Sequence, residues 1–174
     1  LQIALIPIGE VENPILVAIG QALSEEFDAS FSMGEPLADP NYAFDPKRGQ
    51  YRSDAILNGL SKLSISADRI LGVVDLDLYT PELNFVFGQA SMGGRVALIA
   101  LPRLRPEFYG DPPDQALFEE RAIKEAIHEL GHTMGLGHCP ERACVMHFSN
   151  SLRDTDLKER HFCPHCHAEQ VGRR

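Results

Sequence analysis

His128-Glu129-Leu130-Gly131-His132-Thr133-Met134-Gly135-Leu136-Gly137-His138 is the stretch on which the reading of this chain turns. Each fixed position has a physical reason. His128 and His132 stand one helical turn apart, so a helix puts both imidazoles on one face. Two ring nitrogens can then reach one zinc ion at about 2.0–2.1 Å. Glu129 follows the first histidine and sits beside the ion without having to bind it, which suits a carboxylate that takes a proton from water. Gly135 can adopt the left-handed conformation that ends a helix. The chain can then turn back and bring His138 to the same ion. Three histidines leave one coordination position open, the arrangement of a catalytic zinc site.

A second constellation follows at once. Cys139 and Cys144 are separated by four residues, and Cys163-Pro164-His165-Cys166 is a Cys-x-x-Cys knuckle. Together they make a closed set of four thiolates suited to a structural zinc. Disulfide pairing and a redox knuckle are the competing readings. A reducing compartment disfavours the first, and the lack of a strand-to-helix pattern disfavours the second. His161, His165 and His167 read as surface residues beside that complete set. All seven histidines and all four cysteines lie between His128 and His167, so the preceding residues act as scaffold and substrate surface.

Length and composition bound the rest. The chain has 174 residues, 44% of them hydrophobic, enough for one domain with a core that needs no disulfides. Its net charge of −9 argues against a nucleic-acid surface, and the basic Gly172-Arg173-Arg174 is too short to change that. No apolar run approaches the roughly 18 residues of a membrane helix. Residues 1–7 read as a first strand and not as a signal peptide, so a cytoplasmic location is expected.

Along the chain, Gln2–Ile8 reads as a buried strand. Asn13 caps a helix reaching Phe27, with Pro14 in its first turn. Residues 29–33 form a short strand. Residues 34–50 read as a loop, either a plain surface connection or a cleft rim. Residues 52–63 form a second helix capped by Ser53, with Ala55, Ile56, Leu60 and Leu63 inward. Residues 69–78 read as one strand in which Asp75 and Asp77 face solvent or cap; the alternative, calcium, lacks an oxygen-rich loop. Strands follow at 84–90 and 95–101, joined by a turn at Gly93-Gly94. Residues 85–90 are either a sheet edge that pairs with an extended peptide or an interior strand. Residues 101–113 form a loop. Asp111 or Asp114 caps the long helix after it, with Pro112 and Pro113 in its first turn. In that helix Ile123, Ile127, Leu130 and Met134 make one apolar stripe, and the histidines face a cleft from the adjoining side. A last short helix spans 154–160, capped by Asp154 or Thr155.

The extended histidine motif and Met146 in Cys144-Val145-Met146 resemble a metzincin metalloprotease. Cys139 directly after the third histidine, then Cys144, Met146 and the Cys163/Cys166 knuckle, resemble the archaemetzincins in particular. The resemblance implies an α/β (α+β) metzincin-like zincin fold: a mixed twisted sheet with supporting helices, an active-site helix and a small zinc-stabilised C-terminal lobe. It implies one catalytic domain over 1–174, with lobes at 1–137 and 138–174. It implies a catalytic zinc on His128, His132 and His138, Glu129 as general base, Gly135 as the helix-ending turn, Met146 as the Met-turn under the metal, and a structural zinc on Cys139, Cys144, Cys163 and Cys166. Some metzincins carry a tyrosine two residues after the methionine; Phe148 stands there, so that extra ligand is absent. No cysteine precedes Cys139, so cysteine-blocked latency is not expected.

The expected function is a zinc-dependent metallopeptidase acting on short or unstructured peptides, without nucleic-acid or membrane partners. The competing function is a peptide- or protein-recognition module on the same fold with little hydrolysis. Retention of Glu129 favours the enzyme.

Overall fold

The computed structural model describes residues 1–172; Arg173 and Arg174 of the basic tail lie outside them. Its elements, in chain order, are β1 (Gln2–Ile8), α1 (Asn13–Phe27), β2 (Ser30–Met33), β3 (Phe44–Asp45), β4 (Gln50–Arg52), α2 (Ser53–Ser61), β5 (Arg69–Val74), β6 (Leu78–Thr80), β7 (Leu83–Val86), β8 (Gly88–Ala90), β9 (Val96–Ala100), α3 (Gln115–Thr133), α4 (Leu152–Leu157) and α5 (Pro164–Val171). Short 3-10 turns fill Asn41–Ala43, Pro102–Leu104 and Pro106–Tyr109.

Five strands make the main sheet in the order β2-β1-β5-β9-β8. The first four run parallel, and β8 closes one edge antiparallel. Side chains alternate across this sheet as strand geometry requires. Ile3, Leu5, Leu71, Val73, Ala97 and Ile99 face α1 and α3, whereas Ala4, Ile6, Ile70, Val74, Leu98 and Ala100 face α2. Both faces are covered, which is why β1 from Ile3 onward and the whole of β9 are unbroken apolar runs. Gly72 lets the opposing side chains close in: a Cβ there would stand 2.6 Å from Leu60 Cδ1.

A smaller sheet has the order β3-β4-β6-β7, and α2 follows directly from its strand β4. It corrects two expectations. The 34–50 loop contains β3 and the start of β4, and the strand expected at 69–78 is two strands in two sheets. Asp75 and Asp77 mark the break. Each takes a two-pronged ion pair, Asp75 from Arg105 at 2.6 and 2.7 Å and Asp77 from Arg103 at 2.6 and 2.8 Å. They are therefore half-buried anchors and not solvent-facing groups. The Arg103 guanidinium also lies over the Phe85 ring at 4.3 Å. The run at 84–90 is likewise divided. Phe87 is buried in the main core, and the chain passes there from β7 in the small sheet to β8 in the large one.

Helix starts differ by a residue or two where several polar groups compete. Glu12, not Asn13, precedes α1. Asp114 caps α3 by accepting the Leu117 N–H at 3.0 Å, and the two prolines stay outside. Ser151 and Asp154 form a capping box on α4, two residues ahead of the expected start. Helix α5 was not expected; Cys163 is its N-cap and Pro164 lies in its first turn.

The apolar stripe of α3 is buried as expected, but so is every other residue from Arg121 to Thr133. The C-terminal segment explains the polar ones. Arg121 pairs with Asp156 at 2.7 and 2.8 Å and donates to Leu104 O. Lys124 reaches Thr155 O at 3.3 Å, and Glu120 holds Arg160. Glu26 of α1 accepts the Phe162 N–H at 2.9 Å and pairs with His161, while Phe27 meets Phe162 edge-on. Among the described residues no helix is long and apolar enough to cross a membrane.

Ile127 is fully buried where α3 meets the sheet. Ile127→Ala is expected to cost about 2–5 kcal/mol of stability, whereas removing the exposed cap with Asp114→Ala is expected to cost about 1 kcal/mol. Chemical denaturation of the two variants measures the contrast.

Candidate metal centre and cleft

Two groups of donors converge in the structure. The ligand atoms of His128, His132 and His138 lie within 4.8 Å of one another, and so do the sulfurs of Cys139, Cys144, Cys163 and Cys166.

The histidine group is assembled by α3 and the turn after it. His128 and His132 share the buried face of the last helical turns. The helix ends at Thr133, and Gly135 then takes a left-handed φ of 82° that a side chain would strain. That reversal carries the chain back to His138 at the rim. His128 Nδ1 donates to Val145 O and His132 Nδ1 donates to Leu136 O, each at 2.8 Å. With both Nδ1 atoms protonated, both Nε2 atoms carry lone pairs, and these face each other at 3.0 Å. Two acceptors that close repel unless a cation lies between them. The donor set therefore fits a metal ion, and three imidazoles suit zinc. Burial holds all three rings neutral by pushing their pKa values below the ordinary 6.5.

Met146 lies fully buried under this turn of the helix. A Cβ at Gly131 would come 2.5 Å from its Sδ, so the absence of a side chain at Gly131 is what lets the methionine approach. Phe148 packs its ring 4.8 Å from that of His138.

The cysteine group fits a closed zinc site. Cys139 and Cys163 sulfurs stand 3.8 Å apart, well beyond a covalent bond of about 2.05 Å, and all four cysteines are free thiols. The Cys163 N–H donates to Cys144 Sγ at 3.3 Å. Burial raises the pKa of Cys144 and Cys166, while the Cys166 backbone N–H lowers that of Cys163. A bound cation would offset the cost of making the buried thiolates.

A cleft of about 420 Å³ opens beside the histidines. Its walls are residues 83–90 and 148–150, and its floor holds Glu129, Glu125 and Lys158. Glu129 is buried, which pushes its pKa well above the ordinary 4.5; Glu125 adds to the rise and Lys158 opposes it. Gly88 of β8 faces Glu129 closely: a Cβ there would lie 2.6 Å from Glu129 Cγ and 2.8 Å from Leu98 O. Glu125, Lys158, Gly88 and Gly131 were not singled out from the sequence. Glu125 stands one helical turn before Glu129, a spacing that could have flagged it; Gly88 and Lys158 carry no local signal.

Comparison with known proteins agrees with these features. Residues 37–171 match the model of Peptidase family M54. The archaemetzincin of Pyrococcus furiosus is 46% identical over 172 residues, covering 94% of this chain and 89% of that protein. The archaemetzincin of Methanocaldococcus jannaschii is 46% identical over 169 residues, covering 95% and 90%. Among solved structures, the Methanopyrus kandleri archaemetzincin superposes with a TM-score of 0.88 at 38% identity over 99% of this chain and 94% of that one. The Archaeoglobus fulgidus archaemetzincin, solved with malonate, gives 0.85 at 34% over 97% and 99%.

Two zinc ions per chain are expected by elemental analysis. A mild chelator should remove the ion at the open histidine rim first, leaving one. Protons compete for the imidazoles only once they can charge them. Since the folded pKa values are depressed below the ordinary 6.5, retention of that ion should persist at pH 6.5 and fail only at lower pH. Metal content after dialysis across pH 5–8 checks this; half-loss above neutrality would contradict it.

Proposed function

Since the chain belongs to peptidase family M54, the archaemetzincins, we propose that it hydrolyses peptide bonds in short or unstructured substrates, with Glu129 moving the proton. It is a zinc-dependent metallopeptidase. The observation that carries the residue assignment is the convergence of three neutral imidazoles beside a buried carboxylate at the floor of one cleft.

Zinc, when bound, supplies Lewis-acid polarisation and lowers the pKa of a water towards about 7. His128, His132 and His138 would hold it, with the Val145 and Leu136 carbonyls fixing the first two rings. Glu129 then acts at its own carboxylate oxygens. Its raised pKa strengthens its hold on a proton taken from the attacking water, and that proton can pass to the departing amine. Met146 and Gly131 form the packed floor behind the histidines. Cys139, Cys144, Cys163 and Cys166 would hold the second zinc and anchor residues 138–174 as a small lobe against residues 1–137.

The substrate reading rests on β8. Among the described residues it pairs only with β9, through Gly88↔Ile99, Gln89↔Leu98 and Ala90↔Ala97, and its other side borders the cleft. An extended peptide can add to that edge by main-chain hydrogen bonds. Four thiols kept as a metal set suit a reducing compartment, which supports a cytoplasmic location.

A peptide-library digest with the zinc-loaded chain tests the activity. Glu129→Ala should retain both zincs and lose at least about 100-fold in turnover. Unchanged hydrolysis would remove Glu129 from the proton path. Gly88→Val should displace the Glu129 side chain through direct collision, lowering kcat with zinc content unchanged; a kcat equal to that of the parent would refute the contact's importance.

A further inference from the structure

Lys158 ends α4, and its side chain is wholly buried. A buried ammonium persists only where other groups compensate its lost hydration. Lys124 shows what that looks like: its Nζ reaches Thr155 O at 3.3 Å and Asp156 O at 3.5 Å, with Glu120 at 3.8 Å. Lys158 differs. Its charge partner is Glu125, with Oε1 at 3.3 Å, yet Nζ makes no hydrogen bond. The same Oε1 already accepts the Thr155 hydroxyl at 3.2 Å. An ammonium has three donors, and all three are left unused at the floor of the cleft.

From this geometry we infer that Lys158 is a specificity residue that receives a substrate carboxylate, supplied by an acidic side chain near the scissile bond or by the C-terminus. The inference rests on the peptidase reading of the cleft. An ammonium can only donate, and a carboxylate is its strongest acceptor. Beside Phe85, Val86, Phe87 and Phe148 the walls offer only neutral polar side chains such as Asn84, Gln89 and Asn150, so among the described lining residues Lys158 is the one lysine or arginine that can meet a carboxylate. Charge points the same way. A divalent ion on neutral imidazoles, together with Lys158, outweighs the two floor acids Glu125 and Glu129. An incoming carboxylate neutralises the excess, whereas a basic side chain would add to it.

The test uses C-terminally amidated peptides in which one Asp is scanned through an Asn background, and a neutral peptide with a free or amidated C-terminus. Equilibrium binding is measured on zinc-loaded Glu129→Ala, and kcat and KM on the parent chain. Binding at least tenfold tighter is expected for Asp at one position, or for the free C-terminus, which separates the two sources. Lys158→Met should abolish that gain and raise the KM of the charged peptide relative to the neutral one; since Lys158 also acts electrostatically on Glu129, kcat is free to change for all peptides alike. Absence of any charge discrimination overturns the inference, as does its survival in Lys158→Met. Should Lys158→Met lose its melting transition or its zinc, the double variant Glu125→Gln/Lys158→Met removes both charges and is read in the same way. A parent chain that cleaves nothing would defeat the peptidase reading, while the binding measurements would still decide the role of Lys158.

Discussion

Two imidazole lone pairs pointed at each other across 3.0 Å are the constraint on which the site depends. Neither ring is free to turn away. His128 is held by the carbonyl of Val145, next to Met146, and His132 by a carbonyl just past its own helix. Each hydrogen bond fixes a tautomer and so aims the opposite nitrogen inward. The repulsion built into the protein becomes the binding energy available to a cation. The Val145 carbonyl also couples metal binding to folding, because it stands 17 residues from His128 and reaches the ring only once its own segment has packed against α3.

That docking is electrostatic as much as apolar. Helix α3 carries Arg121, Lys124 and Glu125 on a face that a helix standing alone would expose. The 152–160 segment covers them with Asp156, Thr155 and Lys158, while Phe162 reaches Phe27 of α1. Buried ion pairs contribute little net stability over apolar packing, but one missing partner is costly. This seam therefore specifies where the segment sits. It also delivers Lys158 to the cleft, where the ammonium faces Glu125 but makes no hydrogen bond. The cysteine group pins the segment's far end beside the third histidine, since Cys139 follows His138 directly.

On the opposite wall, a single crossing at Phe87 lets one continuous run of residues serve two sheets. Its first part, β7, is braced from two sides: Arg103, in the turn after β9, stacks on Phe85, and Gln50 of the small sheet donates to Asn84 O at 2.9 Å. Its second part, β8, lies against β9, where Gly88 makes room for Glu129. The cleft is thus bounded by a strand held rigidly from behind and by a helix whose acid fits the gap left by a glycine.

Much of this could be read in the order of residues. His128, Glu129, His132, Gly135 and His138, and the four cysteines, carry their chemistry in short-range spacing, because one helical turn, one reversal and one knuckle set their relative positions. The same locality made β1, α1 and the apolar stripe of α3 legible. What remained hidden involves partners far apart in the chain. The division of 69–78 depends on Arg103 and Arg105, 26 and 30 residues further on. The tautomer of His128 depends on a carbonyl 17 residues away, and the environment of Glu125 on a threonine 30 residues away. Periodicity reports which face of an element is apolar. It cannot report which polar face will find a charged partner once the chain has closed, and that pairing is what set the floor of the cleft.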